Sequence, residues 1–175
     1  MKNIVAIPGS LRKSSLNLEL IKSVCAQFNT EVSAWVTPQA KLELPIFNQD
    51  IPLPESLSKD LIEYKNLLKS SDGILIASPE YNGSVSGGLK NFIDWLSREQ
   101  NPFLNKKVGL ISISTSPFGG VRGLMHLRDI MMQLCASVYP RNMCISTNGA
   151  AYSEQQLQLI KDFASNFFNF VVNKL

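Results

Sequence analysis

The spacing of apolar residues changes repeatedly along the chain. Five runs rich in β-branched residues, NIVAI, EVSAWVT, GILIAS, KVGLISIS and NMCIS, are separated by segments in which apolar residues recur every three or four positions. Leu16, Leu20, Val24 and Phe28 form the first such series, and Leu57, Leu61, Tyr64 and Leu68 the second. Leu89, Phe92, Ile93 and Leu96 form the third, and Val121, Leu124, Leu127, Met131 and Leu134 the fourth. The last runs through Leu157, Ile160, Ala164, Phe167 and Val171. Short apolar runs mark strands and a period near 3.6 marks helices, so the chain reads βαβαβαβαβα. Strict alternation of this kind predicts a parallel sheet covered by helices on both faces.

Runs one, three and four are almost continuously apolar, as central parallel strands are. Run two alternates, with Val32, Ala34 and Val36 on one side and Ser33, Trp35 and Thr37 on the other, which predicts an edge strand. An edge second strand fits the order 2-1-3-4-5. The link from Pro38 to Glu55 carries four prolines and is long for a βα connection. It is expected to lie on the surface, packed by Leu44, Ile46 and Phe47. No internal repeat or second core is visible, so residues 1–175 read as one domain.

Charge narrows the partners. The net +3 comes from 17 basic and 14 acidic residues scattered along the chain, without the basic stripe of a nucleic-acid binder. No apolar run approaches the roughly 20 residues of a membrane span, and the N-terminal apolar segment stops at Pro8-Gly9, too short for a secretory signal. Cys25, Cys135 and Cys144 show neither metal-ligand spacing nor a CxxC pair. An odd set of cysteines in apolar surroundings points to buried, reduced thiols and a cytoplasmic location.

In an open α/β sheet of this order, ligands sit beyond the carboxyl ends of strands one and three. Both loops there are unusual. The first, GSLRKSSLN, places the start of a helix beside Ser10, Ser14, Ser15, Asn17 and Arg12. Helix N-termini and their N–H groups favour anions, and Arg12 adds a charge-assisted donor. Neither a GK[ST] P-loop nor GxGxxG is present. The same serines also suit a plain capped helix start. The second loop, SPEYNGSVSGGLKNFIDW, brings Tyr81 and a shaped turn to the same crevice, with backbone amides at 80–83 that can meet a flat heterocycle.

Together, GSLRKSSLN and PEYNGSVSGGLKNFIDWLSR resemble the NAD(P)H-dependent FMN reductase family, which includes quinone, chromate and azo-dye reductases. The resemblance implies a flavodoxin-like three-layer α/β/α sandwich with a five-stranded parallel sheet, and FMN as cofactor with NADPH or NADH as electron donor. It implies that Ser10, Arg12, Ser15, Leu16 and Asn17 surround the FMN phosphate. Pro79, Glu80, Tyr81, Asn82 and Gly83 would run along the isoalloxazine ring. In the loop after strand four, STSPFGGVRGL, it implies contacts from Ser114, Thr115, Ser116 and Gly119; this loop is less glycine-rich than the family's usual form and carries Phe118.

With a flavin, the chemistry belongs to the cofactor, and no catalytic side chain is assigned. His126 lies with Arg122, Asp129 and Gln133 on the polar stripe of the fourth helix and reads as a solvated or subunit-facing residue. The expected acceptor is a small molecule such as a quinone or free flavin. The alternative is a flavodoxin-type electron carrier, but such carriers resemble one another in being strongly acidic, unlike this chain. The family also implies a homodimer or homotetramer. The large apolar residues of helix three (Phe92, Ile93, Trp95, Leu96) and of the last helix (Phe163, Phe168, Phe170) are expected to supply the subunit interface.

Overall fold

The computed structural model describes residues 2–28, 32–36, 44–52 and 54–173. Expectations for Thr37, Pro38 and the segment to residue 43 fall outside them, as do those for the side chains of residues 32–36. The order is β1 (Lys2–Pro8), α1 (Leu16–Cys25), β2 (Val32–Val36), α2 (Glu55–Ser70), β3 (Gly73–Ala77), β4 (Glu80–Tyr81), β5 (Ser84–Val85) and α3 (Gly87–Ser97). There follow β6 (Lys107–Ser114), α4 (Val121–Gln133), β7 (Ser137–Val138), β8 (Met143–Ser146) and α5 (Glu154–Val172).

The main sheet runs β2-β1-β3-β6, every pairing parallel, and β6 then pairs with β7 at Lys107–Val108 and with β8 from Ile111 to Ser114. The fifth place of the expected 2-1-3-4-5 sheet is therefore split between two short strands. Pro140 lies in the break, and a proline has no N–H to give to a ladder.

Successive strand residues face opposite sides of a sheet, and the core divides accordingly. Ile4, Ala6, Leu75 and Ile111 pack under α1 and α5 with Leu20, Phe163 and Phe167. Val5, Ile7, Ile74, Ile76 and Leu110 pack on the other face with Leu68, Phe92, Trp95 and Leu127. Fully burying each such aliphatic side chain stabilises the fold by roughly 1.5–3 kcal/mol. Leu16, Val121 and Leu157, placed on apolar stripes by their spacing, stay exposed in the first turns of their helices; in α1 the buried positions are Asn17, Leu20, Ile21 and Val24.

The apolar surplus of α3 serves the chain's own core. Phe92, Ile93, Trp95 and Leu96 are all buried. Trp95 Nε1 donates to Pro45 O at 2.8 Å, its ring meets Phe47 edge-on at 5.0 Å, and Asn91 bonds both Phe47 N and Pro45 O. The link between β2 and α2 is thereby clamped to α3. Leu44 and Phe47 pack as expected, whereas Ile46 is 88% exposed. On α5, Phe163 is buried, and Phe168 and Phe170 pack against the core. Phe168 and Phe170 stay partly exposed.

At the edge where β6 begins, Lys106 Nζ donates to Lys69 O and Ser71 O at the end of α2. Its neighbour Lys107 donates to Val171 O and Asn173 O at the end of α5. Cations at helix C-termini satisfy carbonyls that no helical N–H reaches. Because the two lysines are adjacent, they serve helices on opposite faces of the sheet.

Candidate functional site

The loops leaving β1, β3 and β6 meet at one edge of the sheet. The first two are tied together: Gly9 N donates to Ala77 O at 2.7 Å, and Ser86 Oγ, which caps α3, donates to Gly9 O at 2.6 Å. Ser10 and Ser15 are buried. Ser15 caps α1 by accepting from Leu18 N at 3.1 Å, and Ser10 Oγ accepts from Arg12 N at 3.4 Å. Arg12 is exposed and makes no ion pair among the described residues.

Asn17 lines the cleft and also has a structural bond to make. It is buried, and its carboxamide spans to β6, donating from Nδ2 to Ile113 O and accepting from Ile113 N, both at 3.2 Å. The cause is a difference in strand length. β3 ends at Ala77, opposite Ile111, while β6 continues to Ser114. Beyond that step β6 has no strand on this side, and the Asn17 amide stands in for the missing peptide group. One amide N–H remains for a ligand.

The second loop is a hairpin. β4 and β5 pair antiparallel, joined by Asn82 and Gly83 with φ of 52° and 76°. Positive φ at both positions is what a two-residue type I′ turn requires, and Asn-Gly is its preferred sequence. The dipeptide was open to reading as a hairpin from the sequence. Asn82 and Gly83 lie at its tip, outside the cleft walls.

Glu80 lines the cleft, and its side chain reaches α4, where Oε2 accepts from Arg122 N at 2.9 Å and Gly123 N at 3.1 Å. Oε1 accepts from Arg122 Nε at 3.1 Å. The residue at the N-cap position of α4, Gly120, has φ 87° and no capping side chain; a Cβ there would come within 2.1 Å of Ser112 Oγ. Only the backbone of Glu80 is left to face a ligand. In the third loop, Ser114 Oγ accepts from Ser116 N at 3.0 Å. Gly119 packs under the backbone of Ile145, with its virtual Cβ 2.9 Å from Ile145 C, rather than lining the cleft. Phe118 is exposed, with the Arg122 guanidinium 5.5 Å from its ring centre.

The three loops enclose a cleft of about 110 Å³. Its walls are Ser10, Arg12, Ser15, Leu16 and Asn17 from the first loop, Pro79, Glu80 and Tyr81 from the second, and Ser114 and Thr115 from the third, with Ile113 added. Ser116 stands outside them. A larger groove of about 540 Å³ between α3 and residues 44–47 shares Leu11's loop but none of the cleft's polar groups. His126 lies on the exposed face of α4, its Nδ1 3.0 Å from Ser84 Oγ. Among the described residues no three His, Cys, Asp or Glu side chains gather to hold a metal.

Buried hydroxyls, a helix N-terminus and one uncommitted cation make the inner cleft suited to a phosphate ester. Its volume is well below the roughly 300–1,000 Å³ of pockets that enclose a whole ligand. A flavin nucleotide fits if its phosphate lies inside and its ring rests at the mouth, beside Tyr81 and Thr115, both exposed.

The sequence profile of the family described as NADPH-dependent FMN reductase matches residues 2–151. The chain is 36% identical over 138 residues to a quinone reductase of Escherichia coli (strain K12), covering 77% of this chain and 72% of that protein. It is 32% identical over 149 residues to an NAD(P)H-dependent FMN reductase of Pseudomonas aeruginosa, covering 79% and 73%. Among solved structures, the flavoenzyme NAD(P)H:(acceptor) oxidoreductase of Paracoccus denitrificans superposes with a TM-score of 0.82 at 26% identity, over 98% of this chain and 97% of that one. The chain belongs to the NADPH-dependent FMN reductase family, and its chemistry is that of an NAD(P)H-dependent flavin oxidoreductase.

Proposed function

We propose that residues 1–175 form one FMN-binding domain that reduces a quinone or free flavin at the expense of NADPH or NADH. The observation that carries this reading is the convergence of three loops, far apart in sequence, on one cleft with donors for a phosphate at its base and an open mouth. The chemistry supplied by bound FMN is hydride acceptance at N5 from a reduced nicotinamide and delivery of two electrons to the acceptor. The chain's own part is to bind and orient. Arg12 neutralises the phosphate, with Ser10, Ser15 and the remaining Asn17 N–H as neutral donors. Backbone groups of Glu80, Tyr81 and Thr115, which line the cleft, would meet the polar edge of the ring. Tyr81 and Phe118, 46% and 63% exposed, supply an apolar rim that suits a flat quinone.

An electron-carrier role is disfavoured by the net charge of +3, since docking to a basic reductase calls for an acidic surface. The assembly is read as a homodimer or homotetramer. The candidate face is the outer side of α4, where Val121, Met125 and Met132 are exposed at i, i+4 and i+11. A cytoplasmic location fits three free thiols.

The test is an anaerobic titration of FMN-reconstituted protein with NADPH and then NADH, following the visible flavin band. Rapid bleaching that is reversed by a quinone supports the reading. Bound flavin that stays oxidised with both nucleotides makes the carrier reading the better one, and failure to retain flavin removes both.

A further inference from the structure

We propose that Glu80 is a positioning residue of the flavin site, a remote cap that fixes the second loop to the third. The inference rests on the flavin reading above but is carried by separate observations. An α-helix leaves its first N–H groups without helical partners, and a side chain at the N-cap position usually serves them. In α4 that position is Gly120, whose φ of 87° is strained for any other residue and whose Cβ would come within 2.1 Å of Ser112 Oγ. Glu80, distant in sequence, supplies the acceptor instead, through Oε2 to the second and third residues of the helix.

The fit between hairpin and helix is close. A Cβ at Gly123 would lie 3.0 Å from Ser84 O and 3.2 Å from the Cα of Glu80. Glycine at 123 lets the hairpin rest directly on the first turn of α4, and the carboxylate then closes the contact. The Glu80 side chain is only 11% exposed, so its bonds have little competition from water. A second arm runs through Oε1 to the Arg122 guanidinium, which lies against Phe118 of the third loop. Both walls of the mouth, the Tyr81 hairpin and the segment before α4, are thus held by one side chain that does not face the ring.

The two arms separate chemically. In Glu80→Gln, the amide oxygen can keep both backbone bonds, while the NH2 group faces the Arg122 Nε donor and loses the ion pair. Glu80→Ala loses both arms, and Arg122→Met loses only the second. FMN affinity is measured by fluorescence titration, and protection of the Arg122 and Gly123 amides by hydrogen exchange in the FMN-free protein. Protected amides are expected in the parent, Glu80→Gln and Arg122→Met, with loss in Glu80→Ala. FMN binding is expected to weaken about tenfold or more in Glu80→Ala, the scale of having to order a loop on binding. It is expected to stay within about threefold in the other two, whose loops remain ordered.

Equal weakening in Glu80→Gln and Glu80→Ala overturns the proposal in favour of a charge effect, and unchanged affinity in Glu80→Ala overturns it outright. If Glu80→Ala does not fold, Gly123→Ala takes its place. That variant keeps the carboxylate but presses a methyl group against Ser84 O, and it too must lose affinity. Unprotected parent amides with normal FMN binding overturn the capping role alone. A parent that binds no FMN overturns the flavin reading as well.

Discussion

Asn17 gives the most direct test of how the cleft is built. Its carboxamide makes two bonds of 3.2 Å to the backbone of Ile113, a residue only 3% exposed. Asn17→Ala leaves a buried N–H and a buried C=O without partners, each at a cost of about 1–3 kcal/mol. The expected loss is therefore about 2–6 kcal/mol, a large share of the roughly 5–15 kcal/mol of a typical domain. Asn17→Asp is the sharper probe. Its carboxylate can accept from Ile113 N, but its second oxygen meets Ile113 O with no proton between them, next to a cleft meant for an anion. Stability should fall by an amount similar to the alanine variant, and FMN affinity should fall further than in it. Urea unfolding of the FMN-free protein gives the first quantity and flavin titration the second. An alanine variant within about 0.5 kcal/mol of the parent, the range of surface changes, would refute the idea that this amide replaces a missing strand.

Two further outcomes concern titration. Burial pushes the Cys25 thiol up to about 11, and burial together with the Glu80 charge does the same to Cys144. Cys135, expected to be buried from its apolar neighbours, is exposed just past the end of α4. Alkylation at pH 8, followed by peptide mass mapping, should label Cys135 well before the other two, because the thiolate is the reactive form; prior labelling of Cys144 would contradict this. At Asp72, partial burial raises the carboxyl, but bonds from Lys2 and Asn3 N and the charges of Lys2 and Lys106 outweigh it, leaving the group below its ordinary 3.8. Its contribution is present above that value and is lost as pH falls through the lower folded value. Asp72→Asn should therefore cost under about 1 kcal/mol at pH 7, as for an exposed pair, and nothing once pH is well below 3.8. A gap between the unfolding curves that persists in strong acid would count against this.

The parts of the molecule that follow from local period were legible in the sequence. Each of the five apolar runs is a strand, and Leu20, Val24, Leu89, Phe92, Leu124 and Phe167 fill the core as their spacing requires. The three loops were also legible, because small polar residues interrupt apolar runs at the carboxyl ends of strands. What stayed hidden depends on partners distant in the chain. Nothing near Glu80 says that α4 lacks a cap, and nothing near Asn17 says that β3 stops short of the end of β6. Trp95 and its neighbours looked like surplus because the segment they bind, around Pro45 and Phe47, carries no regular period. The two-residue β7 is too short to leave a pattern.

The adjacent lysines at the start of β6 have a kinetic meaning. Lys106 can bond α2 and Lys107 can bond α5 only after both helices have docked, on opposite faces, against the same strand. Contacts of such long sequence separation form late and chiefly slow unfolding rather than speed folding. Because one short piece of backbone carries both, release of either helix loosens the anchor of the other. The ends of α2 and α5 therefore belong to one opening unit, and their last-turn amides exchange together, ahead of the central strands but not of each other.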